Sequence, residues 1–293
     1  MAELLAQGWI TPSIAYAVSA IGSFLGLAFA SRARRTTGFF RWQWLSLAAL
    51  SIGGVAVWSM HFVAMLGYTV SGTAIRYDAV LTAISGIVPV LVMGFALHLV
   101  VRRPSTGWLL CGGVLLGVGV IAMHYTGMAS MNIHGELHHD PVYVALSCAI
   151  AVVAATAALW FARHLRSPGS MTLAALVMAV AVTSVHYTGM AGVHITPTDF
   201  MHVGAPEGMR ARDLLLPLMT GMFVFLLICS LFLLLGGEEE YERRGYAAPS
   251  HRAAEHTIQS ADVYYVPRHG APQAPAPEPH APRPGDDVWT RRR

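Results

Sequence analysis

The chain has 293 residues, of which 55% are hydrophobic and only 12% charged, and its formal net charge is +3. Soluble proteins carry roughly 25% charged residues, so this composition excludes an ordinary soluble domain. All 19 basic residues are arginine and gather between apolar runs, so the charge speaks for membrane topology and against a nucleic-acid partner.

Residues 1–9 carry no basic stretch ahead of the first apolar run, so no cleavable signal is expected and the segment reads as an extracytoplasmic amino terminus. Seven apolar runs follow, at approximately 10–30, 44–68, 79–101, 107–129, 141–162, 171–192 and 213–236. Each is close to the roughly 20 residues that a tilted helix needs to cross a bilayer. Backbone groups in hydrocarbon must be satisfied within the segment, so helices are the expected form. The predicted fold is an all-α membrane protein of seven transmembrane helices, with residues 10–236 forming the membrane domain. Pro89 lies inside the third run and predicts a kink; Pro217 opens the seventh.

The loops after the first, third and fifth runs hold Arg32, Arg34, Arg35, Arg41, Arg102, Arg103, Arg163 and Arg166. The alternate loops hold Asp78, Glu136, Asp140, Asp199, Glu207 and Asp213 with few arginines. The positive-inside rule then places the amino terminus outside and the carboxyl terminus in the cytoplasm. Gly236-Gly237 is predicted to end the last helix, and residues 237–293, rich in Pro, Ala, His and Arg, read as a disordered cytoplasmic tail. Cys111, Cys148 and Cys229 stand singly in apolar runs and read as buried free thiols.

Three short stretches recur near the ends of the second, fourth and sixth runs: Met60-His61-Phe62-Val63-Ala64-Met65, Met123-His124-Tyr125-Thr126-Gly127-Met128 and Val185-His186-Tyr187-Thr188-Gly189-Met190. Their histidines are 63 and then 62 residues apart, the mark of an internal repeat. The fold is therefore read as three two-helix repeats plus one extra helix. Valine precedes each histidine by four (Val57, Val120, Val182), a small residue by seven (Gly54, Gly117, Ala179), and methionine follows by four (Met65, Met128, Met190). In an α-helix these offsets share one face, so each histidine is expected to point into the bundle from a close-packing stripe. The small residue three after the histidine (Ala64, Gly127, Gly189) leaves room for another group there.

Ionisable residues within a membrane are costly and face an interior or a cavity. Three histidines at one depth point to a shared site, and imidazole with thioether on one face favours copper, above all Cu(I). The loop residues Met131, His134, His138, His139 and Asp140, and His194, Met201 and His202, are read as accessory ligands of a vestibule. His98 and His164 lie near the opposite face and read as interfacial.

The triple His-Tyr-Thr-Gly-Met pattern on alternate helices resembles the MHYT domain, a bacterial membrane sensor module, over about residues 10–236. The resemblance implies a multi-pass protein of the bacterial inner membrane. It also implies a copper site with ligands at Met60, His61, Met65, Met123, His124, Met128, His186 and Met190, and a diatomic gas (oxygen, carbon monoxide or nitric oxide) as the sensed molecule. Two copies depart from the pattern: the first reads His-Phe-Val-Ala-Met, and the third begins with Val185 in place of methionine. Family members often carry a cyclic-di-GMP or DNA-binding output domain; none is expected here, so output would go through a cytoplasmic or membrane signalling partner. No nucleophile–base pair, phosphate-cradling loop or paired carboxylate stands out, so an enzyme is not expected. The alternatives are a haem b or quinone-linked electron-transfer protein, since facing histidines also suit axial haem ligation, and a copper transporter.

Overall fold

The computed structural model describes residues 2–3, 8–70, 73–196 and 205–247, with side chains described over 8–70, 73–196 and 205–231. Seven helices long and apolar enough to cross a membrane lie among them. They are α1 (Ile10–Arg35), a composite second span, α4 (Ala79–Arg102), α5 (Thr106–Ala129), α6 (Pro141–His164), α7 (Pro168–Ala191) and α8 (Ala211–Ala247). The second span runs from α2 (Gly38–Ala49) through a π-helix (Leu50–Ser59) into α3 (Met60–Met65). Large apolar side chains such as Ile14, Ile21, Leu91, Phe95, Leu110, Val118, Val153 and Leu173 are exposed around the bundle. So much outward apolar surface suits hydrocarbon and not water. The protein is a multi-pass membrane protein.

Capping alternates from end to end. Asp78 and Asp140 accept hydrogen bonds from the Leu81 and Val142 backbone N–H groups at the starts of α4 and α6. Ser105 and Ser167 do the same for Trp108 and Ser170 at the starts of α5 and α7. Each cap satisfies an otherwise orphaned donor. At the arginine-rich end, the His98 and His164 rings stack on Trp42 and Trp160, and Arg32 and Arg103 lie over Trp44 and Trp108. Aromatic and basic groups at one level are the signature of a membrane–water interface.

The helices close into a circuit. α1 packs between α7 and the second span, α4 between the second span and α5, and α6 between α5 and α7. The repeating unit is therefore an outer helix followed by a histidine-bearing helix, and α8 is the extra one. Met222 of α8 reaches Gly54 on the second span, which is buried along most of its length.

At the histidine end, short antiparallel strands tie the loops together. β1 (Ala2–Glu3) pairs with β2 (Thr69–Val70), and β3 (Arg76–Tyr77) with β4 (Met131–Asn132) and β7 (Met209–Arg210). β5 (Glu136–His139) pairs with β6 (Val193–Thr196). Just inside these strands the Asp78 N–H donates to the Ser130 carbonyl at 2.8 Å, and the Asp140 N–H to the Gly192 carbonyl at 2.8 Å. Each copy thus docks on the end of the next at equivalent positions.

α4 holds Pro89 in its interior, with the proline carbonyl close to Gly53 of the second span. Three expectations need correction. α8 continues past Gly236-Gly237 to Ala247: the following Glu and Arg residues are good helix formers, and each glycine costs only about 1 kcal/mol relative to alanine. The rest of the predicted tail, 248–293, lies outside the described residues. Cys111 is exposed on the lipid side of α5, not buried; Cys229 is buried and Cys148 intermediate.

The third concerns the stripe of the first copy. A Cβ added to Gly117 would lie 2.8 Å from the Val152 Cα on α6, the helix after it. The equivalent clash in the first copy is made by Gly53, 2.9 Å from the Val90 Cα, while Gly54 faces Met222 of α8. The small residue thus stands eight positions before His61 but seven before His124. The π-helix absorbs the surplus residue, since its wider turn takes one more residue than an α-turn. The Ser59 hydroxyl donates to the Gly54 carbonyl at 3.0 Å within it.

Candidate metal centre

His61, His124 and His186 come together. All three are buried, and one ring nitrogen of each lies within 4.8 Å of the others. His61 Nδ1 is 3.0 Å from His186 Nδ1 and 3.3 Å from His124 Nδ1. The ring centroids are 4.9, 5.0 and 5.3 Å apart, and every pair of planes meets at 82°. The rings are therefore nearly related by a threefold axis, although the three motifs are not identical.

A neutral imidazole Nδ1 carries either a proton or one lone pair, so it makes one in-plane hydrogen bond. His61 Nδ1 has two imidazole neighbours, and no neutral tautomer pairs it well with both. Three lone pairs aimed at one cation resolve the conflict. Nitrogens each about 2.0–2.1 Å from one ion stand roughly 3.3–3.6 Å apart in tetrahedral to trigonal geometry. The separations seen here need little adjustment to reach that range, so the residues fit a metal.

The outer ring atoms explain the small residue of the motif. A Cβ on Gly127 would lie 2.7 Å from His61 Nε2, and one on Gly189 would lie 2.6 Å from His124 Nε2. The group accommodated by the glycine is the imidazole of the preceding copy. His61 Nε2 and His124 Nε2 have no hydrogen-bond partner among the described residues, and each lies against the glycine of the following copy. Met60, Met65, Met123, Met128 and Met190 are all buried on the same three spans.

One turn toward the arginine-rich end, Val57, Val120 and Val182 line an apolar cavity of about 30 Å³, with Ile52, Leu116 and Met178 behind them. Ile52 is nine before its histidine where Leu116 and Met178 are eight before theirs, the same one-residue slip that the π-helix absorbs. The threefold relation extends from the histidines into this cavity.

The predicted accessory residues divide. His139 turns inward, its ring 4.9 Å from Tyr125, and burial pushes its pKa down from the ordinary histidine value. His138 and His194 are exposed and face each other across the β5–β6 pair. His134 is half-buried, its N–H bonded to the Thr73 hydroxyl, and Met131 is buried in β4. Asp140 is used as a helix cap. None of these joins the histidine trio, because the β-strands hold them in the loop layer. Met201 and His202 lie outside the described residues. Composition and spacing did not single out Tyr77, which covers Phe62 as His139 covers Tyr125, with ring centroids 6.0 Å apart. Haem is not supported: nitrogens 3.0–3.3 Å apart leave no slot for a macrocycle.

Three buried histidines, one from each of three repeated spans of a multi-pass membrane protein, form a cluster that could hold a metal ion. The family described as MHYT, bacterial signalling protein N terminal repeat, matches residues 54–113 and 117–175. The chain carries MHYT repeats, and the copy centred on His186 follows the two that the family model matches. Three curated relatives are similar. The bifunctional diguanylate cyclase/cyclic di-GMP phosphodiesterase MucR of Pseudomonas aeruginosa is 40% identical over 191 residues, 62% of this chain and 27% of that protein. The cyclic di-GMP phosphodiesterase NbdA of the same organism is 30% identical over 243 residues, 79% of this chain and 30% of that protein. An uncharacterized signaling protein of Caulobacter vibrioides is 33% identical over 184 residues, 63% of this chain and 22% of that protein. The chain therefore spans under a third of the length of these relatives. No solved structure matches it.

Proposed function

We propose that the protein is a non-enzymatic membrane sensor whose buried centre holds copper through the Nδ1 atoms of His61, His124 and His186. The observation that carries this reading is the convergence of one histidine from each of three repeated spans. Three imidazoles, on spans that also bury the thioethers of Met60, Met65, Met123, Met128 and Met190, are a donor set that suits Cu(I) better than harder cations. The bound metal would supply an open position for a diatomic ligand or a change of redox state. The neighbouring cavity supports this part of the reading, since about 30 Å³ is enough for a molecule the size of water, and its walls are apolar.

The protein's own part is mechanical. Each histidine sits on a different span, and His61 and His124 are wedged against the following copy at Gly127 and Gly189, so a change at the centre would shift the spans against one another. The closed circuit carries that shift to the arginine-rich end, which the positive-inside rule assigns to the cytoplasm, and a signalling partner there would read it. Relatives named as cyclic-di-GMP enzymes support a role in signalling.

Metal analysis of detergent-purified protein, with a spectrum, tests the proposal. Wild type is expected to hold close to one chelator-resistant copper, and a His124→Ala/His186→Ala variant none. Wild-type protein without copper after copper-supplemented growth, or copper retained in the double variant, would overturn it.

A further inference from the structure

The β5–β6 ribbon carries a second arrangement of ligand-type side chains. Its register is fixed: Glu136 opposes Thr196, Leu137 opposes Ile195, His138 opposes His194 and His139 opposes Val193. Side chains alternate across a strand, so the ribbon has two faces. Leu137, His139, Val193 and Ile195 form the inward face and are partly or fully buried, whereas Glu136, His138, His194 and Thr196 are exposed.

Directly opposed residues in an antiparallel pair hold their Cβ atoms about 4.5–5.5 Å apart. Two imidazoles at that spacing can reach one ion by rotamer choice alone, with the backbone already in place. His138 Nε2 lies 3.6 Å from a Glu136 carboxylate oxygen and 3.2 Å from the Thr196 hydroxyl. One strand therefore offers imidazole and carboxylate on the same face, and the opposing strand offers the second imidazole. The ribbon is anchored where it enters α6, because Asp140 caps that helix while its N–H holds the Gly192 carbonyl at 2.8 Å. A slip of register, which would send one imidazole to the other face, is resisted by that anchor.

We infer that His138, His194 and Glu136 form an exposed binding site for a borderline divalent cation such as Cu²⁺ or Zn²⁺. Two imidazoles and a carboxylate with open positions are a donor set such ions accept, and one that Ca²⁺ and Mg²⁺, which want oxygen ligands, do not favour. The site differs from the buried trio in access and in donors, and it stands whether or not the trio holds metal. It is also not remote from it: on the ribbon's inner face His139 meets Tyr125 at 4.9 Å, and Tyr125 meets His124 at 4.9 Å.

The test is Cu²⁺ titration of the full chain in detergent, followed by paramagnetic resonance before and after a brief chelator wash. Wild type is expected to bind one readily removed Cu²⁺ whose signal reports two imidazole nitrogens. His138→Gln/His194→Gln loses that ion while keeping the melting temperature of the metal-free protein. Glu136→Gln keeps both nitrogens in the signal and binds about tenfold more weakly. Should the double variant fail to fold, His194→Gln alone is expected to leave a one-nitrogen signal. An exchangeable ion with unchanged signal in the double variant overturns the inference. So does one that disappears only when the tail histidines His251, His256, His269 and His280 are replaced. Chelator-resistant metal is read separately, so failure of the buried centre and failure of this site are distinguishable.

Discussion

Replacing Gly189 by alanine probes the interlock between repeats most directly. The added Cβ would lie 2.6 Å from His124 Nε2, whereas carbon contacts settle near 3.5–4.0 Å, so the imidazole must retreat by about 1 Å. Ligand distances in a metal site hold to about ±0.2 Å, so that retreat takes His124 out of the triangle. Forcing a methyl group into a packed interior costs about 1–3 kcal/mol, a loss of about 5- to 150-fold in metal affinity if it falls on the bound state. Alanine meanwhile favours a helix over glycine by up to about 1 kcal/mol, so the metal-free fold loses less than the metal complex. Copper content, the metal spectrum and the melting temperature with and without copper measure both. Gly127→Ala is expected to behave alike through His61, whose Nε2 is 2.7 Å from the added atom. Gly189→Ala protein with wild-type copper content, affinity and spectrum would refute the reasoning.

Two further outcomes are expected. Asp78→Ala and Asp140→Ala should each lower stability by about 1 kcal/mol in thermal unfolding, and by similar amounts, because both carboxylates accept their cap bond at 2.8 Å in equivalent loops. Gly221→Ala should raise the melting temperature modestly: among the described residues no atom outside its own helix turn lies within 4 Å of its added Cβ, and the gain in helix propensity is about 1 kcal/mol at most.

Hydropathy made the seven spans legible because each span must bury its own backbone polar groups, a constraint that acts residue by residue along the chain. The repeat made the meeting of His61, His124 and His186 legible for a similar reason: equal spacing puts them at equal depth. The one-residue surplus before His61 was not legible. Gly54 and Gly117 align in the sequence, and only the packing of Gly53 on Pro89 and Val90 reveals the slip. The space left by Gly127 and Gly189 could be read as room for something, but not as room for an imidazole from another helix. Which outer helix belongs to which repeat was equally hidden, since it depends on α1 closing the circuit against α7. The loop histidines were visible as candidates. Their sorting into inward His139 and outward His138 and His194 depends on a strand pairing between segments more than fifty residues apart.

The near-threefold arrangement of three rings, with every pair of planes at 82°, is the centre of a homotrimer written into a single polypeptide. In a true trimer every substitution is made three times, and a residue near the axis can change only if all three copies tolerate it. Here each copy changes alone. Phe62 stands where the others have Tyr125 and Tyr187, and Ala64 where they have Gly127 and Gly189. The three rings meet on nearly equal terms while the residues behind them are free to differ, so one chain can keep a symmetric interior and still have a front and a back.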